Sequence, residues 1–240
     1  MNFLEVLKSG NEGFDVTTTL KKNLDTLIFE KLKDELIAGR WTPGQQISID
    51  EVADQYGVSR TPVIHAVKML AAEGIFTFRR NGRVEVPLFS AKQIEDICRM
   101  RALLEDFAVR TICENGDVSV LDAVFEIARE CEVQTRVHNN MIEARKMDLQ
   151  LHRQIIKAAG SDCLLSGYIM VQGQFTTANH LFVTHSDASQ LFSCDEHMKI
   201  LTNLRDFNYR ATVKILNRHI MDGCKRILQH MSQMRAAEKT

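Results

Sequence analysis

Apolar residues recur at helical spacing in three short segments near the start of the chain. The first segment runs from Leu24 to Leu36. The second and third are shorter and are separated by a tight turn at Gly57, with Asp50 and Ser59 as their predicted N-cap residues. Two short helices joined by a glycine turn are typical of a helix-turn-helix.

From residue 75 the spacing of apolar residues changes from the helical period to the alternation typical of a β-strand. Residues 75–78 and 84–86 are predicted to be β-strands, and the Asn81-Gly82 pair between them favours the primed turn of a two-stranded hairpin. Three helices followed by a small β-hairpin predict a winged helix-turn-helix over residues 20–87.

From residue 88 onward, apolar residues keep the helical period in every segment. No proline follows Pro87 and only five glycines do, so long uninterrupted helices are allowed. Helices are predicted at about 90–115, 118–137, 141–159, 163–183, 188–207 and 209–236. The chain is therefore predicted to be mainly α, with an N-terminal arm (residues 1–19), the winged helix-turn-helix (20–87) and an all-α helical bundle (88–240).

Composition excludes several classes of protein. The 30 basic and 31 acidic residues give a net charge of −1, which excludes a histone-like or polybasic protein. No apolar run approaches the ~18 residues of a membrane span and no signal-peptide core is visible, so we expect a cytoplasmic protein without a membrane partner. The six cysteines form no C-x-x-C pair, which predicts reduced core residues rather than disulfides or a zinc knuckle.

The charge is unevenly distributed along the first domain. Residues 59–83 contain five basic residues and one acidic residue, a local excess of +4. The basic residues are Arg60, Lys68, Arg79, Arg80 and Arg83. Because DNA phosphates need cations on the recognition helix and wing, this excess favours DNA binding. A plain three-helix core or a protein-binding winged helix would show the same helix pattern.

Several motifs of this domain have a characteristic order: Pro43-Gly44, the run from Gly57 to Val63, Glu73-Gly74 and Gly82. In these motifs the domain resembles the DNA-binding domain of the GntR family of bacterial transcription regulators. The resemblance implies that the start of the third helix faces DNA and that the wing tip enters the minor groove. The residues expected to contact DNA are Ser59, Arg60, Thr61, His65, Arg79, Arg80 and Arg83.

Three positions depart from the family pattern. Ile64 and His65 stand where the family usually has Arg-Glu, and Asp50 stands where some members have a DNA-contacting arginine. Isoleucine cannot bond both acceptors of a guanine edge as arginine does. The operator is therefore expected to differ from the one common in the family.

Polar residues on the apolar stripes of the second domain form a candidate metal site. Asp148 and His152 lie four residues apart and share a helical face, and His197 and His219 also lie on apolar stripes. Three histidines and a carboxylate directed into one core could bind zinc, nickel or manganese. The alternative is that each is a separately satisfied core residue, because spacing alone does not bring different helices together.

Arg101 interrupts another apolar stripe, with Glu105 one turn later. Two interpretations stay open here: a buried ion pair that braces the bundle, or a guanidinium held in a cavity to bind a carboxylate. Asn179, on the helix predicted at 163–183, is a further candidate for contact with a ligand in such a cavity.

The second domain contains four polar motifs: Arg101 with Glu105, Asp148-x-x-Leu151-His152, Glu196-His197 and His219-Ile220. In these motifs it resembles the FCD domain, the helical effector-binding domain of FadR-type GntR regulators. The resemblance implies a divalent metal bound by Asp148, His152, His197 and His219. It also implies a small carboxylate effector, such as a sugar acid, beside the metal, with Arg101 as a contact. Glu105 and Asn179 are further residues that we expect to bind the effector.

We therefore expect a ligand-responsive transcriptional repressor that acts as a homodimer on double-stranded operator DNA and is not an enzyme. One alternative is a metal-dependent hydrolase that uses the Asp-His-His-His site, with Glu105 or Glu196 as the base. Another is a direct metal sensor, in which the ion itself is the signal.

Overall fold

Helices predicted near the start of the chain are present in the computed structural model, which describes residues 16–79, 82–182 and 189–237. They are α1 (Val16–Ile37), α2 (Ile49–Tyr56) and α3 (Arg60–Ala72). The buried faces of α1 and α3 pack against each other. The completely buried residues of this core include Ile28, Leu32, Val63, Val67 and Leu70.

The N-caps of the two short helices differ from the prediction. Ser48, not Asp50, caps α2, because its hydroxyl accepts a hydrogen bond from the backbone N–H of Glu51 at 3.2 Å. Ser59 occupies the N-cap position of α3 but makes no side-chain capping bond. The third residue of α3 is Pro62, which has no backbone N–H to donate to such a cap.

The wing is a three-stranded antiparallel sheet rather than the predicted two-stranded hairpin. Its strands, β1 (Gln46–Ile47), β2 (Thr77–Phe78) and β3 (Val84–Glu85), lie in the order β1-β3-β2. Hairpin strands β2 and β3 pair as predicted. The primed turn predicted at Asn81-Gly82 falls partly outside the described residues.

In the second unit, residues 89–240, the described secondary structure consists of helices joined by short turns. Its helices are α4 (Ala91–Asn115), α5 (Asp122–Arg136), α6 (Met141–Ala158), α7 (Asp162–Phe182), α8 (Ser189–Arg205) and α9 (Tyr209–Ala237). A 3₁₀ turn at Ser119–Leu121 precedes α5, in place of the start of the helix predicted from residue 118. The mainly α fold class is therefore confirmed.

Helix α4 is the central element of this bundle. It begins with a capping box between Ser90 and Gln93 and packs against α6, α7 and α9. Asn140, Ser161 and Asn208 accept hydrogen bonds from backbone N–H groups at the starts of α6, α7 and α9. This arrangement places the inward faces of α4, α6 and α9 around one core.

The cysteines and the membrane-span criterion bear on two further predictions. Four cysteines are buried as expected, whereas Cys163 is exposed and Cys113 is half-buried. None of the described helices has the length and apolar character needed to cross a membrane.

Candidate metal centre and nucleic-acid interface

Three helices bring the four predicted metal ligands together. Asp148 and His152 come from successive turns of α6, His197 from α8 and His219 from α9. One potential ligand atom from each residue lies within 4.8 Å of those of the other three. The Nε2 atom of His197 is 3.1 Å from Oδ1 of Asp148. The three imidazoles are buried, and Asp148 is partly exposed.

Two glutamates orient the imidazoles from outside this group. Oε2 of Glu105 lies 2.6 Å from Nδ1 of His152, and Oε2 of Glu196 lies 3.1 Å from Nδ1 of His219. Because a carboxylate is an acceptor, each imidazole donates its Nδ1–H outward. Its Nε2 lone pair is then directed toward the centre, as a metal ligand requires.

The geometry of the imidazoles fits a cation. The Nε2 atoms of His152 and His219 are 3.2 Å apart. Burial lowers the pKa of both residues, to about 4 for His219, so both are neutral near pH 7. Two lone pairs facing each other at this distance repel unless a cation binds both. The N₃O donor set therefore suits a divalent transition metal.

Arg101 lies in a completely buried polar network beside this centre. Its Nε donates to Oε1 of Glu105 at 2.7 Å, and the hydroxyl of Tyr168 donates to the same oxygen at 2.9 Å. Burial alone would raise the pKa of Glu105, but His152 and Arg101 outweigh it and lower the pKa to about 2. Glu105 therefore stays ionised and connects Arg101 to His152, a candidate metal ligand.

Both interpretations of Arg101 find support in its contacts. The predicted ion pair with Glu105 exists and is buried. The guanidinium also lies over the ring of Phe175 at 4.2 Å, and its Nη2 makes no hydrogen bond within the described part of the chain. The Nε side of the guanidinium is thus held by Glu105, whereas the N–H groups of Nη2 can still donate hydrogen bonds to a ligand. Asn179 is half-buried on α7, and its contact with an effector stays a prediction.

The candidate bases of the hydrolase alternative are already engaged. Glu105 accepts hydrogen bonds from Arg101, Tyr168 and His152, and Glu196 bonds to His219 and Arg218. The positioning roles of Glu105 and Glu196, and the part of Tyr168, were not predicted from the sequence. The available signal for Tyr168 was its place one turn after Leu164, which puts a hydroxyl on an apolar face that the structure shows to be buried.

The predicted DNA-contacting residues lie at the start of α3 and in the wing. Ser59, Arg60 and Thr61 are exposed. Nε of Arg60 is 3.2 Å from Oδ1 of Asp50. Asp50, which stands where some family members have an arginine, therefore pairs with Arg60, a predicted DNA contact.

Three other predicted contacts can be placed, and one cannot. The exposed ring of His65 is 2.8 Å from the Asp25 carboxylate, and Arg79 is paired with Glu85 of β3. Arg83 is exposed. Arg80 lies outside the described residues. The DNA-binding role of these residues stays a prediction.

Comparisons with known proteins agree with both domains. Residues 24–86 match the family described as bacterial regulatory proteins, gntR family, and residues 96–222 match the FCD domain. The Nta operon transcriptional regulator of Aminobacter aminovorans is 25% identical over 197 residues, which cover 80% of this chain and 89% of that protein.

Two further similarities are more limited. The gluconate operon transcriptional repressor of Bacillus subtilis (strain 168) is 28% identical over 128 residues, 53% of this chain and 52% of that protein. The solved structure of E. coli McbR/YncC is 18% identical, with a TM-score of 0.73 over 87% of this chain and 98% of that one, and this similarity supports the fold. The chain belongs to the GntR family of bacterial transcription regulators, in the FadR-type subgroup with an FCD domain, and it is not an enzyme.

Proposed function

We propose that the chain is a homodimeric repressor whose affinity for operator DNA is controlled by a small organic acid bound beside a divalent metal ion. The observation that carries this proposal is the buried Arg101 guanidinium, which retains an unbonded Nη2 within the described part of the chain. The carboxylate of Glu105 is hydrogen-bonded both to Arg101 and to His152, a proposed metal ligand. A fixed cation beside a metal centre suits the carboxylate of a metabolite.

The residues around the centre have separate tasks in this proposal. The ion, held by Asp148, His152, His197 and His219, would supply open coordination positions for oxygen atoms of the effector. Arg101 binds the carboxylate, and Phe175 limits the movement of the guanidinium by stacking on it. Glu105 holds Arg101 and His152 in fixed relation to each other.

An effector acts through its different affinities for the DNA-binding and non-binding states of the dimer. Ser59, Arg60 and Thr61 at the exposed start of α3 would contact the operator. The name of the gluconate operon repressor supports repression as the mode of action. A sugar acid or dicarboxylate is the effector class that fits a site with one guanidinium and one metal ion.

DNA binding should depend on both sequence and effector. We expect protein loaded with manganese to bind a duplex selected from a random pool, with an affinity that falls as salt rises. A matching organic acid should weaken binding at least about tenfold, in keeping with typical coupling energies. Fluorescence anisotropy over a panel of sugar acids and dicarboxylates, with and without a chelator, measures both effects.

Arg60→Ala tests the assignment of the interface in the same assay. Loss of a base-reading arginine should weaken specific binding by about 1–3 kcal/mol, whereas Arg129→Ala on the exposed surface of α5 should not change it. DNA affinity that follows metal concentration without any acid would favour the direct metal sensor. Binding without sequence selectivity would contradict the proposal.

An apolar stripe on α4 is the surface proposed for dimerisation. Met100, Leu103 and Phe107 are 49%, 64% and 53% exposed and follow one another at helical spacing on one face. Large apolar side chains clustered on a surface are typical of protein interfaces. A second copy of the same chain, related by a two-fold axis, would cover this face and match a palindromic operator.

Charges introduced into this stripe should separate the dimer. We expect a variant with Leu103→Glu and Phe107→Glu to migrate as a monomer of 27.3 kDa, whereas the wild type has twice that mass. Met170→Glu, which places a charge at a 51% exposed position of α7, is the matched control and should remain dimeric. Light scattering after size exclusion measures the mass. A double variant that remains dimeric would exclude this face as the interface.

A further inference from the structure

A pair of thiols outside the metal centre has no part in the proposed function. Cys131 of α5 and Cys194 of α8 are 0% and 2% exposed, and their Sγ atoms lie 3.9 Å apart. They form a small apolar cluster with Ala144, against which Met147 packs. The two thiols are 63 residues apart in sequence, so a bond between them would join two separate helices.

The surroundings of the pair favour reaction between the two sulfurs. The thiol of Cys131 donates to the carbonyl oxygen of Ala144 at 3.4 Å, and that of Cys194 lies 3.4 Å from the hydroxyl of Thr135. The S–H group of Cys131 can turn from the Ala144 carbonyl to Sγ of Cys194, which lowers the pKa of the Cys194 thiol, although burial opposes this change. The pKa of Cys131 is raised, so Cys194 is the more acidic thiol of the pair and the one that attacks first.

We propose that Cys131 and Cys194 form an oxidation site that a small peroxide converts to a disulfide, and that this bond weakens metal binding. The Cys194 thiolate attacks one peroxide oxygen, which breaks the O–O bond and leaves a sulfenic acid and hydroxide. The thiol of Cys131 then displaces the sulfenic hydroxyl as water. In total, two thiols and one hydrogen peroxide give one disulfide and two water molecules.

The effect on the metal follows from the positions of both cysteines. A disulfide requires an S–S distance of about 2.05 Å, so the two sulfurs must approach by roughly 2 Å. His197 lies one turn after Cys194 on α8, and Asp148 lies one turn after Ala144 of the same apolar cluster on α6. Closing the bond therefore draws α8, which carries His197, toward α5. Because α5 packs on α6, this changes the position of His197 relative to Asp148 and His152. Bond formation itself does not require the proposed metal site, whereas this consequence does.

The test uses the full-length chain with Cys163→Ser, which removes the exposed cysteine found in the described residues. After treatment with hydrogen peroxide, the mass should fall by two hydrogen atoms, and peptide mapping should join Cys131 to Cys194. The affinity for zinc, measured by competition with a chromogenic chelator, should fall about tenfold or more, the size of effect seen when the groups that position metal ligands are disturbed. Dithiothreitol should restore both values.

A matched variant and the competing thiol pair make the test decisive. In Cys131→Ser, which changes one sulfur to oxygen, peroxide should leave zinc affinity unchanged. The thiols of Cys98 and Cys224 are also hydrogen-bonded to each other and could react in the same way. A disulfide mapped to that pair would overturn the proposal. Oxidation to sulfinic acid without a disulfide would overturn it as well. A Cys131–Cys194 disulfide with unchanged zinc affinity would overturn the link to the metal, without bearing on the proposed function.

Discussion

Removal of the metal ion from the loaded protein is expected to lower the melting temperature of the second unit by roughly 8–16 °C. A ligand present at a thousand times its dissociation constant stabilises the native state by about 4.1 kcal/mol. For a domain of about 150 residues or more, each kcal/mol corresponds to about 2–4 °C. The reason for the effect is local. The Nε2 atoms of His152 and His219 face each other at 3.2 Å, and without a cation between them their lone pairs repel.

The measurement compares thermal unfolding in EDTA with unfolding in zinc, nickel or manganese. His219→Ala removes one ligand and should abolish most of the metal-dependent shift. His138→Ala, in the exposed turn that follows α5, is the matched control and should retain the full shift. Identical melting curves with each metal and with EDTA would show that the four residues do not bind an ion. Elemental analysis of purified protein then identifies the resident metal.

Part of this site could be predicted from the sequence because it depends on local geometry. Asp148 and His152 are four residues apart, so one helix places them on one face wherever that helix packs. The positions of His197 and His219 depend on which helices are neighbours in the bundle. Packing between distant helices decides that, so the spacing of these residues carried no information about it. The family resemblance supplied the set of four.

The contacts of Glu105 were likewise predictable only within its own helix. The pairing of Arg101 with Glu105 was predictable, because they are one turn apart on α4. The second oxygen of Glu105 reaches His152, which lies 47 residues away in sequence. A side chain that is short of partners in its own helix must find them in another one when it is buried. The sequence indicates that such a partner is needed and does not identify it.

The errors in the first domain have equally specific causes. Strand β1 has two residues, too few to show an alternating pattern. The missing capping bond of Ser59 could have been foreseen from Pro62, which lacks the N–H group. The local excess of positive charge was counted over residues 59–83 alone. Folding brings carboxylates from outside that segment, Asp50 and Glu85, against Arg60 and Arg79.

Replacing Glu105 by alanine is expected to lower the free energy of unfolding of the metal-free protein by about 3–5 kcal/mol, the range for breaking a buried ion pair. The loss would leave the Arg101 guanidinium buried without its carboxylate, and the hydroxyl of Tyr168 without its acceptor. Chemical denaturation in EDTA measures this value without any contribution from the metal.

Glu105→Gln separates stability from metal orientation. The amide oxygen can still accept hydrogen bonds from Arg101 and Tyr168, so the loss of stability should be smaller than in the alanine variant. The amide nitrogen then faces Nδ1 of His152, and because it is a donor, the imidazole must accept there and carry its proton on Nε2. A protonated Nε2 cannot bind a metal, so zinc affinity should fall about 10–100-fold.

Tyr168→Phe is the control that isolates this effect. It removes one hydrogen bond to Oε1 of Glu105 and leaves Oε2 on His152, so it should cost about 1 kcal/mol of stability and leave zinc affinity unchanged. If Glu105→Gln binds zinc as tightly as the wild type, Glu105 does not orient His152. If Tyr168→Phe weakens zinc binding as much as Glu105→Gln, the network acts through packing rather than through the tautomer of His152. The expected pattern is a large loss of metal affinity in the glutamine variant alone. It would show that the Glu105 carboxylate holds Arg101, the proposed anion contact, in a fixed position relative to His152, the proposed metal ligand.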